Sequence, residues 1–392
     1  MDSQDEAQDK MTAAALIVAG GRGERLGGPV AKQYQKLAGI PVLRHALLAF
    51  CHHPAITAVA AVIRGEDRAH YDQAAEGLEL LPPIPGGDSR QQSVLHGLQG
   101  LESLNPDRVL IHDGARPFIS AKVIDNVLAG LAVHDGAVAA VPVVDSLKRG
   151  GDGRIVDEVP RQDLWQAQTP QGFSYPALLA AHGKADAGHT DDASLARAAG
   201  LEVALVAGAV ENAKITTAAD LARADAAHAA RLFDVRVGQG FDVHRFEPGD
   251  HVRLCGIDIP HSARLAGHSD ADVALHAVTD AILGAIGKGD IGRHFPPGQA
   301  KWQNADSARF VSFAVDQVHV LGGRLAHLDV TIICEAPRIT PHHGPMAARL
   351  GAITGLDGAR VSIKATTTER LGFTGRNEGI AAQATATVRL PI

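Results

Sequence analysis

The sequence predicts an α/β protein in two parts: a Rossmann-like domain with a mostly parallel sheet, followed by an α+β domain with a shorter sheet. Three observations support this prediction. The chain has 392 residues, whereas a single core stops growing at about 250 to 300 residues. In the first half, short apolar runs alternate with amphipathic stretches, a pattern typical of a parallel sheet with helices on both faces. In the second half, the predicted strands and helices do not alternate regularly, which is typical of an α+β domain.

The strands of the first half are predicted as short apolar runs that become buried. They are expected at residues 14–19, 58–63, 108–112, 137–143 and 202–206. An alanine-rich helix near 220–231 ends this half, and a new strand begins at Val235. We therefore expect a flexible N-terminus at 1–12, a first domain at 13–232 and a second domain at 235–392.

The second half is expected to begin with two strands, followed by a long helix from about Ser269 and another helix from about Ser307. The remaining elements are a strand at 329–333, a helix at 345–350 and strands near 361–366 and 380–389. This order is typical of an α+β domain.

Composition excludes several classes of protein. Hydrophobic residues make up 45% and charged residues 21% of the chain, and no apolar run approaches the roughly 20 residues of a membrane span. The net charge of -7 comes without a basic block, which argues against nucleic acid as a partner. Cys51, Cys255 and Cys334 form no Cys-x-x-Cys pair, and residues 1–10 lack the apolar core of a signal peptide. We expect a cytoplasmic protein that binds small molecules and neither nucleic acid nor membrane.

A glycine-rich loop at 19–28 follows the first strand, and Lys32 comes shortly after it. Backbone N–H groups of such a loop can close on phosphate oxygens. A dinucleotide site would need a glycine where Leu26 stands and an acid near 40–43, and a P-loop would need Gly-Lys-Ser/Thr. Neither pattern is present, so a phosphate-binding loop and a flexible turn both remain open.

Two further polar segments, 86–93 and 112–117, follow predicted strands. The carboxyl ends of parallel strands are where ligands bind in open α/β sheets. Taken singly, Asp113 suits a turn and Arg116 a surface charge. Together with the glycine loop, these segments predict a phosphate-binding edge.

Residues 13–232 resemble the methylerythritol phosphate cytidylyltransferases of non-mevalonate isoprenoid biosynthesis. The matching segments are the glycine loop with Arg25, 32–34, Gly87-Asp88 with Ser93, 113–117, 145–148, 164–171, 190–194 and 212–214. The resemblance implies a nucleotidyltransferase that transfers CMP from CTP to methylerythritol phosphate and releases pyrophosphate. It also implies Mg²⁺ or Mn²⁺ between the phosphates.

The same resemblance implies roles for individual residues. Arg25 and Lys32 would stabilise negative charge on CTP. The residues that would hold the nucleotide are Gly20, Gly23, Gly87, Asp88 and Ser93. Methylerythritol phosphate would contact Asp113, Arg116, Ser146, Thr169, Thr190, Lys214 and, across a dimer interface, Arg161. The chain departs from the family pattern in a glycine loop that is one residue longer before Arg25, and in Ser146, where the family has Thr.

In the second half, Asp242 and His244 are spaced i and i+2, so both project to one side of an extended segment. A third ligand must come from elsewhere, and His276 on the predicted helix can supply it. Two imidazoles, a carboxylate and an open position suit a catalytic Zn²⁺.

The predicted helix carries His268, Asp272, His276 and Asp280 at four-residue intervals, which places them on one face. Ser269 followed by Asp272 also suits a helix-capping pair. Asp272 and Asp280 are therefore expected either to be structural or to support the metal ligands from behind.

Two more segments concern phosphates. An acid, Asp290, is flanked by glycines at 289–292, and a threonine run at 364–368 precedes Glu369. A threonine run is ordinarily a strand. Glu369 after it could hold a hard cation such as Mg²⁺.

Residues 235–392 resemble the methylerythritol cyclodiphosphate synthases, which are trimeric α+β domains. The resemblance implies Zn²⁺ on Asp242, His244 and His276, with a second metal on Glu369. Several residues would contact the substrate: His268 and Ser269 at phosphate, Asp290 and Gly292 at the erythritol part, and Phe373 and Arg376 in an element at the trimer axis. The cytosine pocket would be lined by Ala336, Pro337, Arg338, Ile339, Thr366 and Thr367. The loop that begins at Phe295 departs from the family's acidic loop.

The reaction implied for this half is attack of the 2-phosphate on the β-phosphorus of the CDP group, which expels CMP and closes a cyclic diphosphate. A homo-oligomer is expected, with dimeric first domains and trimeric second domains in a possible hexamer. A kinase acts between the two reactions, so association with that kinase is conceivable.

Two alternatives to a bifunctional enzyme remain open on the sequence alone. The second domain could be only a metal-bound trimerisation module, in which case no CMP would be released. The chain could instead be a nucleotide-sensing regulatory protein, in which case CTP and methylerythritol phosphate would yield no pyrophosphate.

Overall fold

A computed structural model describes residues 11–21, 30–186, 188–296, 298–299, 302 and 305–392. The chain divides into two compact units, with the boundary between Ala224 and Asp225. Among the described residues, no helix has both the length and the apolar character that crossing a membrane requires. The domain limits of 13–232 and 235–392 stay a prediction.

The first unit contains eleven strands and seven helices among its described residues, α7 extending past the boundary. The strands are β1 (Ala13–Val18), β2 (Lys36–Leu37), β3 (Ile40–Pro41), β4 (Ala58–Ile63), β5 (Ile84–Pro85), β6 (Arg108–Asp113), β7 (Gly136–Pro142), β8 (Leu147–Gly151), β9 (Arg154–Val159), β10 (Trp165–Ser174) and β11 (Val203–Ala207). The helices are α1 (Val42–Cys51), α2 (Arg68–Ala75), α3 (Arg90–Gly100), α4 (Ala121–Gly130), α5 (Tyr175–Lys184), α6 (Asp192–Ala198) and α7 (Ala218–Ala229).

Seven of these strands form one sheet in the order β11-β7-β10-β6-β1-β4-β5. β1 pairs in parallel with β4 and β6, and β11 pairs in parallel with β7. β10 runs antiparallel between β6 and β7. The predicted mostly parallel sheet is therefore confirmed, with one antiparallel strand that the sequence patterns did not indicate.

The sheet has a core on each face, as its alternating side chains require. Ala15 and Ile17 of β1 pack in a cluster with residues of α1, α2 and α4. Ala14 and Leu16 pack in a second cluster with residues of α3, α5 and α6. Helices on both faces of the sheet were predicted, and the structure confirms them.

The second unit is a smaller α+β domain. Its strands are β12 (Asp234–Pro248), β13 (His251–Leu254), β14 (Ile257–Pro260), β15 (Ala263–Leu265), β16 (Arg324–Ile333), β17 (Val361–Thr366) and β18 (Gly379–Leu390). Its helices are α8 (Val273–Ala285), α9 (Ile291–His294), α10 (Ala308–Val320), α11 (His343–Thr354) and α12 (Gly372–Gly375). The main sheet has the order β15-β12-β18-β16-β17, and β13 and β14 form a separate hairpin.

Helices α8, α10 and α11 pack against one face of this sheet and share one core with it. The other face of β12 is open: Val235, Val237 and Phe241 are 57%, 60% and 58% exposed. We call the alternating residues Val235, Val237, Phe241 and Val243 the open face of β12.

Several predicted limits in this unit were wrong. The helix expected from Ser269 begins at Val273, because the buried carboxylate of Asp272 accepts the N–H of Leu275 and caps it there. Four strands instead of two precede that helix. The other corrections are a strand from Arg324 instead of 329 and a helix at His343–Thr354 instead of 345–350.

Candidate functional site

Two glycine loops meet at Ser93 in the first unit. Ser93 Oγ accepts the N–H of Gly87 at 3.1 Å and donates to the carbonyl of Ser89 at 2.9 Å. A Cβ atom added to Gly20 would lie 3.6 Å from the same oxygen. The structure thus brings together Gly20, Gly87 and Ser93, three of the residues predicted to hold the nucleotide.

The side chain of Gln33 holds the start of the glycine loop through hydrogen bonds. Its buried side-chain amide donates to the carbonyl oxygens of Ala19 at 2.7 Å and Gly21 at 3.2 Å. The sequence pattern gave no role to Gln33, although it lies beside Lys32. Gly23 and Arg25 lie outside the described residues.

The carboxylate of Asp113, at the end of β6, is surrounded by three cations. Lys214 Nζ lies 2.8 Å from it, and the Nε atoms of Arg116 and Arg90 lie at 3.6 and 3.7 Å. Burial opposes ionisation of Asp113, but Lys214 and then Arg90 outweigh it and hold the pKa of this carboxyl well below its usual range. We call Asp113, Arg90, Arg116 and Lys214 the Asp113 cluster.

Arg90 links the Asp113 cluster to Asp192 at the start of α6. Its Nη2 lies 2.7 Å from the buried carboxylate of Asp192. Three cations therefore meet at the end of β6 around Asp113 and Asp192, and Asp191 also acts on the charge of Arg90. Such a concentration of cationic side chains suits an anion such as a phosphate group. Sequence reasoning assigned no role to Arg90 or Asp192, although both lie within the segments that it singled out.

His112 and Thr169 connect the Asp113 cluster to β10. Thr169 Oγ1 accepts the N–H of Asp113 at 3.0 Å and lies 3.1 Å from His112 Nδ1, while His112 Nε2 lies 3.1 Å from the carbonyl oxygen of Arg116. The hydroxyl of Thr169 therefore donates to Nδ1, and Nε2–H donates to the carbonyl. On the other side of Thr169, Asn212 donates to its carbonyl oxygen at 2.7 Å. The end of β6 and the segment before Lys214 are thus held together by hydrogen bonds through Thr169.

In the second unit, two glycines allow α8 to contact the backbone of β12. A Cβ atom on Gly240 would lie 2.0 Å from the carbonyl oxygen of Ala277, and one on Gly238 would lie 2.1 Å from that of Ala281. Only glycine permits such a close approach of strand and helix backbones. Alternate residues of β12 therefore face α8 along its length.

Asp242 and His244 continue that same face of β12, and His276 lies on the first turn of α8. Asp242 Oδ2 is 2.9 Å from His244 Nε2 and 3.0 Å from His276 Nδ1, and the two nitrogens are 3.2 Å apart. Ligand atoms around a tetrahedral Zn²⁺ at ordinary bond lengths are about 3.3 Å apart. Among the described residues, Asp242, His244 and His276 form the group that could hold a metal ion. Their three ligand atoms fit one small cation and leave a fourth coordination position open.

Each imidazole of this group is oriented by its other nitrogen. His244 Nδ1 lies 2.5 Å from the carbonyl oxygen of Ala266, so Nδ1 carries the proton and Nε2 keeps a lone pair for a metal. Burial opposes protonation of His244, but the hydrogen bond and charge of Asp242 raise its pKa.

The carboxyl ends of β16 and β17 lie side by side. The N–H of Cys334 donates to the carbonyl of Thr366 at 3.1 Å. The carboxylate of Glu335 accepts the N–H groups of Thr368 at 3.1 Å and Arg370 at 3.2 Å. The structure therefore brings together the two segments predicted to form the cytosine pocket, 336–339 and 366–367, and shows Glu335 as a support that the sequence did not indicate.

The two units match two different family models. Residues 13–229 match the model of 2-C-methyl-D-erythritol 4-phosphate cytidylyltransferase, and residues 235–389 match the YgbB family. Two relatives, each described as a bifunctional enzyme IspD/IspF, are 56% identical to this chain. The Rhodospirillum rubrum protein matches 96% of this chain and 99% of its own length, and the Paramagnetospirillum magneticum protein matches 96% and 98%. The chain belongs to the bifunctional IspD/IspF family.

As a member of the IspD/IspF family, the chain is an enzyme of isoprenoid biosynthesis that joins a cytidylyltransferase part to a cyclodiphosphate synthase part. This membership contradicts the alternative of a regulatory protein. The IspD/IspF families are metal-dependent, and the group Asp242, His244 and His276 could hold the ion.

Three of the residues expected to bind substrate in the cytidylyltransferase part lie at the protein surface. Ser146, Arg161 and Thr190 are exposed, and Arg161 donates to the carbonyl of Val144 beside the β8–β9 hairpin. In the part of the chain that the structure describes, these three side chains make no hydrogen bond or ion pair with the cluster. Asp88 lies with the glycine loops, where its N–H donates to the side chain of Gln92 at 2.9 Å.

In the cyclodiphosphate synthase part, His268 precedes α8 and is exposed, so the predicted four-residue repeat along one helix face was wrong for it. Ser269 Oγ lies 3.0 Å from His276 Nε2, which places Ser269 at the metal group. Asp280 is structural as expected, because it accepts the N–H of Ile291 at 2.7 Å. Asp290, next to Gly292, caps α9 by accepting the N–H of Arg293 at 3.0 Å.

The turn after β17 carries Glu369. The strand predicted near 361–366 is confirmed as β17, which ends at Thr366, and Glu369 has a φ of 53° in the turn that follows. Thr367 donates to the exposed Glu369 carboxylate at 3.3 Å. Nearby, Arg376 pairs with Glu378 at 2.8 Å, and Phe373 is partly exposed.

The loop after α9 is aromatic where the family has an acidic loop. Phe295 packs against Phe310 in a tilted arrangement with ring centroids 4.5 Å apart, and edge-to-face against Trp302 at 4.9 Å. Phe310 in turn lies 6.1 Å from the ring of His276. The aromatic cluster therefore packs beside one metal-ligating residue.

Stability of the cytidylyltransferase part should depend on pH through His112. Burial lowers the pKa of His112 from 6.5 to about 4. Between pH 6.5 and 4, His112 therefore binds a proton in the unfolded chain but not in the folded chain. Stability is then lost as the pH falls from 6.5 to 4, by roughly 3 kcal/mol at about 1.4 kcal/mol per pKa unit. Urea unfolding of a Trp302→Phe variant, followed by Trp165 fluorescence, measures this loss.

A His112→Gln variant provides the comparison, since its side chain does not titrate. We expect a flatter dependence of its unfolding free energy between pH 6.5 and 4.5. Parallel curves for the two proteins would show that His112 is not the responsible group.

Proposed function

We propose that the Asp113 cluster binds the phosphate of methylerythritol phosphate and that the glycine loops beside it bind CTP. The observation that carries this proposal is the convergence of three cations, Arg90, Arg116 and Lys214, on Asp113 at the carboxyl end of β6. Ligands bind at such strand ends in open α/β sheets.

In this proposal the substrate phosphate attacks the α-phosphorus of CTP, and pyrophosphate leaves. The attacking phosphate is already a nucleophile, so the protein aligns the two phosphates and screens their charge. On the nucleotide side these roles fall to Gly20, Gly23, Arg25, Lys32, Gly87, Asp88 and Ser93. On the acceptor side they fall to Asp113, Arg116, Ser146, Thr169, Thr190, Lys214 and a partner copy's Arg161. Mg²⁺ or Mn²⁺ would lie between the phosphates.

A Lys214→Gln variant tests the acceptor site. Lys214 contributes a charge-assisted hydrogen bond, worth about 1.5 to 3 kcal/mol. We expect the KM for methylerythritol phosphate to rise about 10- to 100-fold, with a smaller change in the KM for CTP. Pyrophosphate release measures both constants, and CMP release by the other part of the same sample should not change.

The matched control is Lys122→Gln, which removes an exposed lysine from α4. It should leave both KM values within about twofold, the range for an exposed charge. An equal rise in both KM values for Lys214→Gln would contradict the assignment to the acceptor site.

We further propose that Asp242, His244 and His276 hold Zn²⁺ and that cyclisation takes place at this site. The convergence of one carboxylate and two oriented imidazoles supports zinc, because this donor set with an open position is that of catalytic zinc sites. When bound, the ion would act as a Lewis acid on a phosphate oxygen. Glu369 would hold a second ion, Mg²⁺ or Mn²⁺, which prefers oxygen ligands.

The remaining assignments in this part concern substrate positioning. Ser269 is placed to donate a hydrogen bond to a phosphate oxygen, with His268 beside it. We assign Asp290 and Gly292 to the erythritol part, and Phe373 and Arg376 to further substrate contacts. The cytosine pocket would be formed by Ala336, Pro337, Arg338, Ile339, Thr366 and Thr367. Held in this way, the 2-phosphate can approach the β-phosphorus in line as CMP leaves.

Exposed apolar surface supports the proposed homo-oligomer. The open face of β12 presents Phe241, which is 58% exposed, and its neighbours along one strand. In the β8–β9 hairpin, Ile155 and Val156 are 72% and 66% exposed. Exposed apolar side chains in such numbers on one strand or hairpin are typical of protein interfaces. We assign the open face of β12 to a trimer and the hairpin to a dimer, which together would give a hexamer.

Two further proposals follow from the pathway. The reactions are not consecutive, because a kinase must phosphorylate the first product before cyclisation, so we propose that this kinase associates with the oligomer. We also propose a cytoplasmic location and domain limits at 13–232 and 235–392.

A further inference from the structure

A hydroxyl and a carboxylate lie in line behind His276. His276 Nε2 is 3.0 Å from Ser307 Oγ, and Ser307 Oγ donates to Asp270 Oδ1 at 2.5 Å. The backbone N–H of Ser307 donates to the other carboxylate oxygen, Oδ2, at 3.2 Å. Asp270 therefore holds Ser307 through both of its oxygens.

The direction of each hydrogen bond follows from the metal group. His276 Nδ1 faces the carboxylate of Asp242, and a nitrogen that binds a metal carries no proton. The proton of the neutral imidazole is then on Nε2, and it is donated to Ser307 Oγ. Because the hydroxyl proton of Ser307 is committed to Asp270, its oxygen is free to accept.

Ser269 offers a second oxygen to His276, also at 3.0 Å from Nε2. Ser269 differs from Ser307 in its other hydrogen-bond partners. Ser269 Oγ accepts the N–H of Ala271 at 3.3 Å and lies 3.3 Å from Ser307 Oγ. Among the contacts of the described residues, the carboxylate partner belongs to Ser307.

The carboxylate end of this chain of hydrogen bonds is anchored by the β13–β14 hairpin. Arg253 Nη1 lies 3.6 Å from Asp270 Oδ2. The same guanidinium binds Asp258 through two hydrogen bonds of 2.7 and 3.2 Å. Ser307 is fully buried at the start of α10. Both Ser307 and Asp270 are therefore fixed in place before a metal binds.

We propose that Ser307 and Asp270 are positioning residues that orient His276 and strengthen it as a metal ligand. The inference rests on the zinc site proposed above. A carboxylate that accepts the second N–H of a metal-ligating histidine fixes the ring and raises its basicity. Here a serine hydroxyl is inserted between the imidazole and the carboxylate.

The test is the zinc affinity of the full-length protein, measured by competition with a chromophoric chelator. Ser307→Ala and Asp270→Asn should each weaken zinc binding about 10- to 100-fold, the usual effect of removing such a partner. Ser307→Thr keeps the hydroxyl and should restore the affinity to within a few-fold of the wild type. The matched control is Thr354→Ala, which removes another buried hydroxyl, one that donates to the Leu350 carbonyl at 2.7 Å in α11.

Thermal unfolding of the metal-free proteins separates positioning from folding. The metal-free Ser307→Ala and Thr354→Ala variants should unfold at similar temperatures, while only Ser307→Ala loses zinc affinity. Unchanged zinc affinity in both Ser307→Ala and Asp270→Asn would overturn the inference, as would a failure of Ser307→Thr to restore it. If Ser307→Ala does not fold, the near-isosteric Asp270→Asn decides. If the wild type itself binds no zinc, the proposed zinc site fails instead.

Discussion

Replacing His276 by alanine should remove zinc from the cyclodiphosphate synthase part and lower its rate of CMP release at least about 1,000-fold. His276 supplies one of three ligand atoms that lie within 4.8 Å of one another. A site with two ligands holds an ion weakly, and the several kcal/mol that a metal contributes to phosphate chemistry corresponds to a rate factor of this size. Zinc content and CMP release from the phosphorylated CDP-methylerythritol substrate are the measurements.

Two controls accompany this variant. Pyrophosphate release by the cytidylyltransferase part of the same sample should stay at the wild-type rate. His327→Ala, which removes an exposed histidine from β16, should leave CMP release unchanged. A wild-type protein that binds zinc but releases no CMP would favour the alternative in which the second domain only assembles the oligomer.

Replacing Gly240 by alanine should destabilise the cyclodiphosphate synthase part by more than about 3 kcal/mol. The added methyl group would lie 2.0 Å from the carbonyl oxygen of Ala277 and 2.8 Å from the nitrogen of Ala281. Both are backbone atoms of α8, so the helix must move away from β12, which exceeds the usual cost of overpacking a core. Urea unfolding followed by Trp302 fluorescence in a Trp165→Phe background measures the effect.

Gly284 provides the matched control on α8 itself. A Cβ atom on Gly284 would have its nearest neighbour, the carbonyl oxygen of Gln239, at 3.9 Å. Gly284→Ala should therefore stabilise the protein by up to about 1 kcal/mol, as alanine does inside a helix. Equal unfolding free energies for Gly240→Ala and Gly284→Ala would show that the packing of α8 on β12 does not require a glycine at position 240.

The parts of the fold that were predicted correctly are those with strong local patterns. β1, β4 and β6 are nearly continuous apolar runs, and a run of this kind is typical of a strand buried on both faces. β10 was missed because it contains Gln168, Thr169 and Gln171. These polar side chains become buried only because other parts of the chain supply hydrogen-bond partners, such as Ala209 for Gln168 at 2.8 Å.

The same distinction applies to the sites. The group Asp242, His244 and His276 could be predicted, because period two on a strand and a histidine on the next helix bring three ligands together. Ser307 lies 31 positions beyond His276 in the chain. Its place behind the imidazole depends on how α10 packs on α8. A local sequence pattern cannot predict how two helices pack. The same reason explains why Arg90 was missed, because its partner Asp192 is 102 residues away.

Because the side chains of β12 alternate between its two faces, the number of residues in the strand determines which face each side chain occupies. Residues 238, 240, 242 and 244 face α8 and the metal group, while 235, 237, 241 and 243 form the open face. Exchange of a side chain affects one face alone. Insertion or deletion of one residue, however, would turn every following side chain to the opposite face, presenting the ligands to the outside and Phe241 and Val243 to the helix. During evolution, this strand is therefore open to substitution on its outer face but closed to insertion or deletion of an odd number of residues.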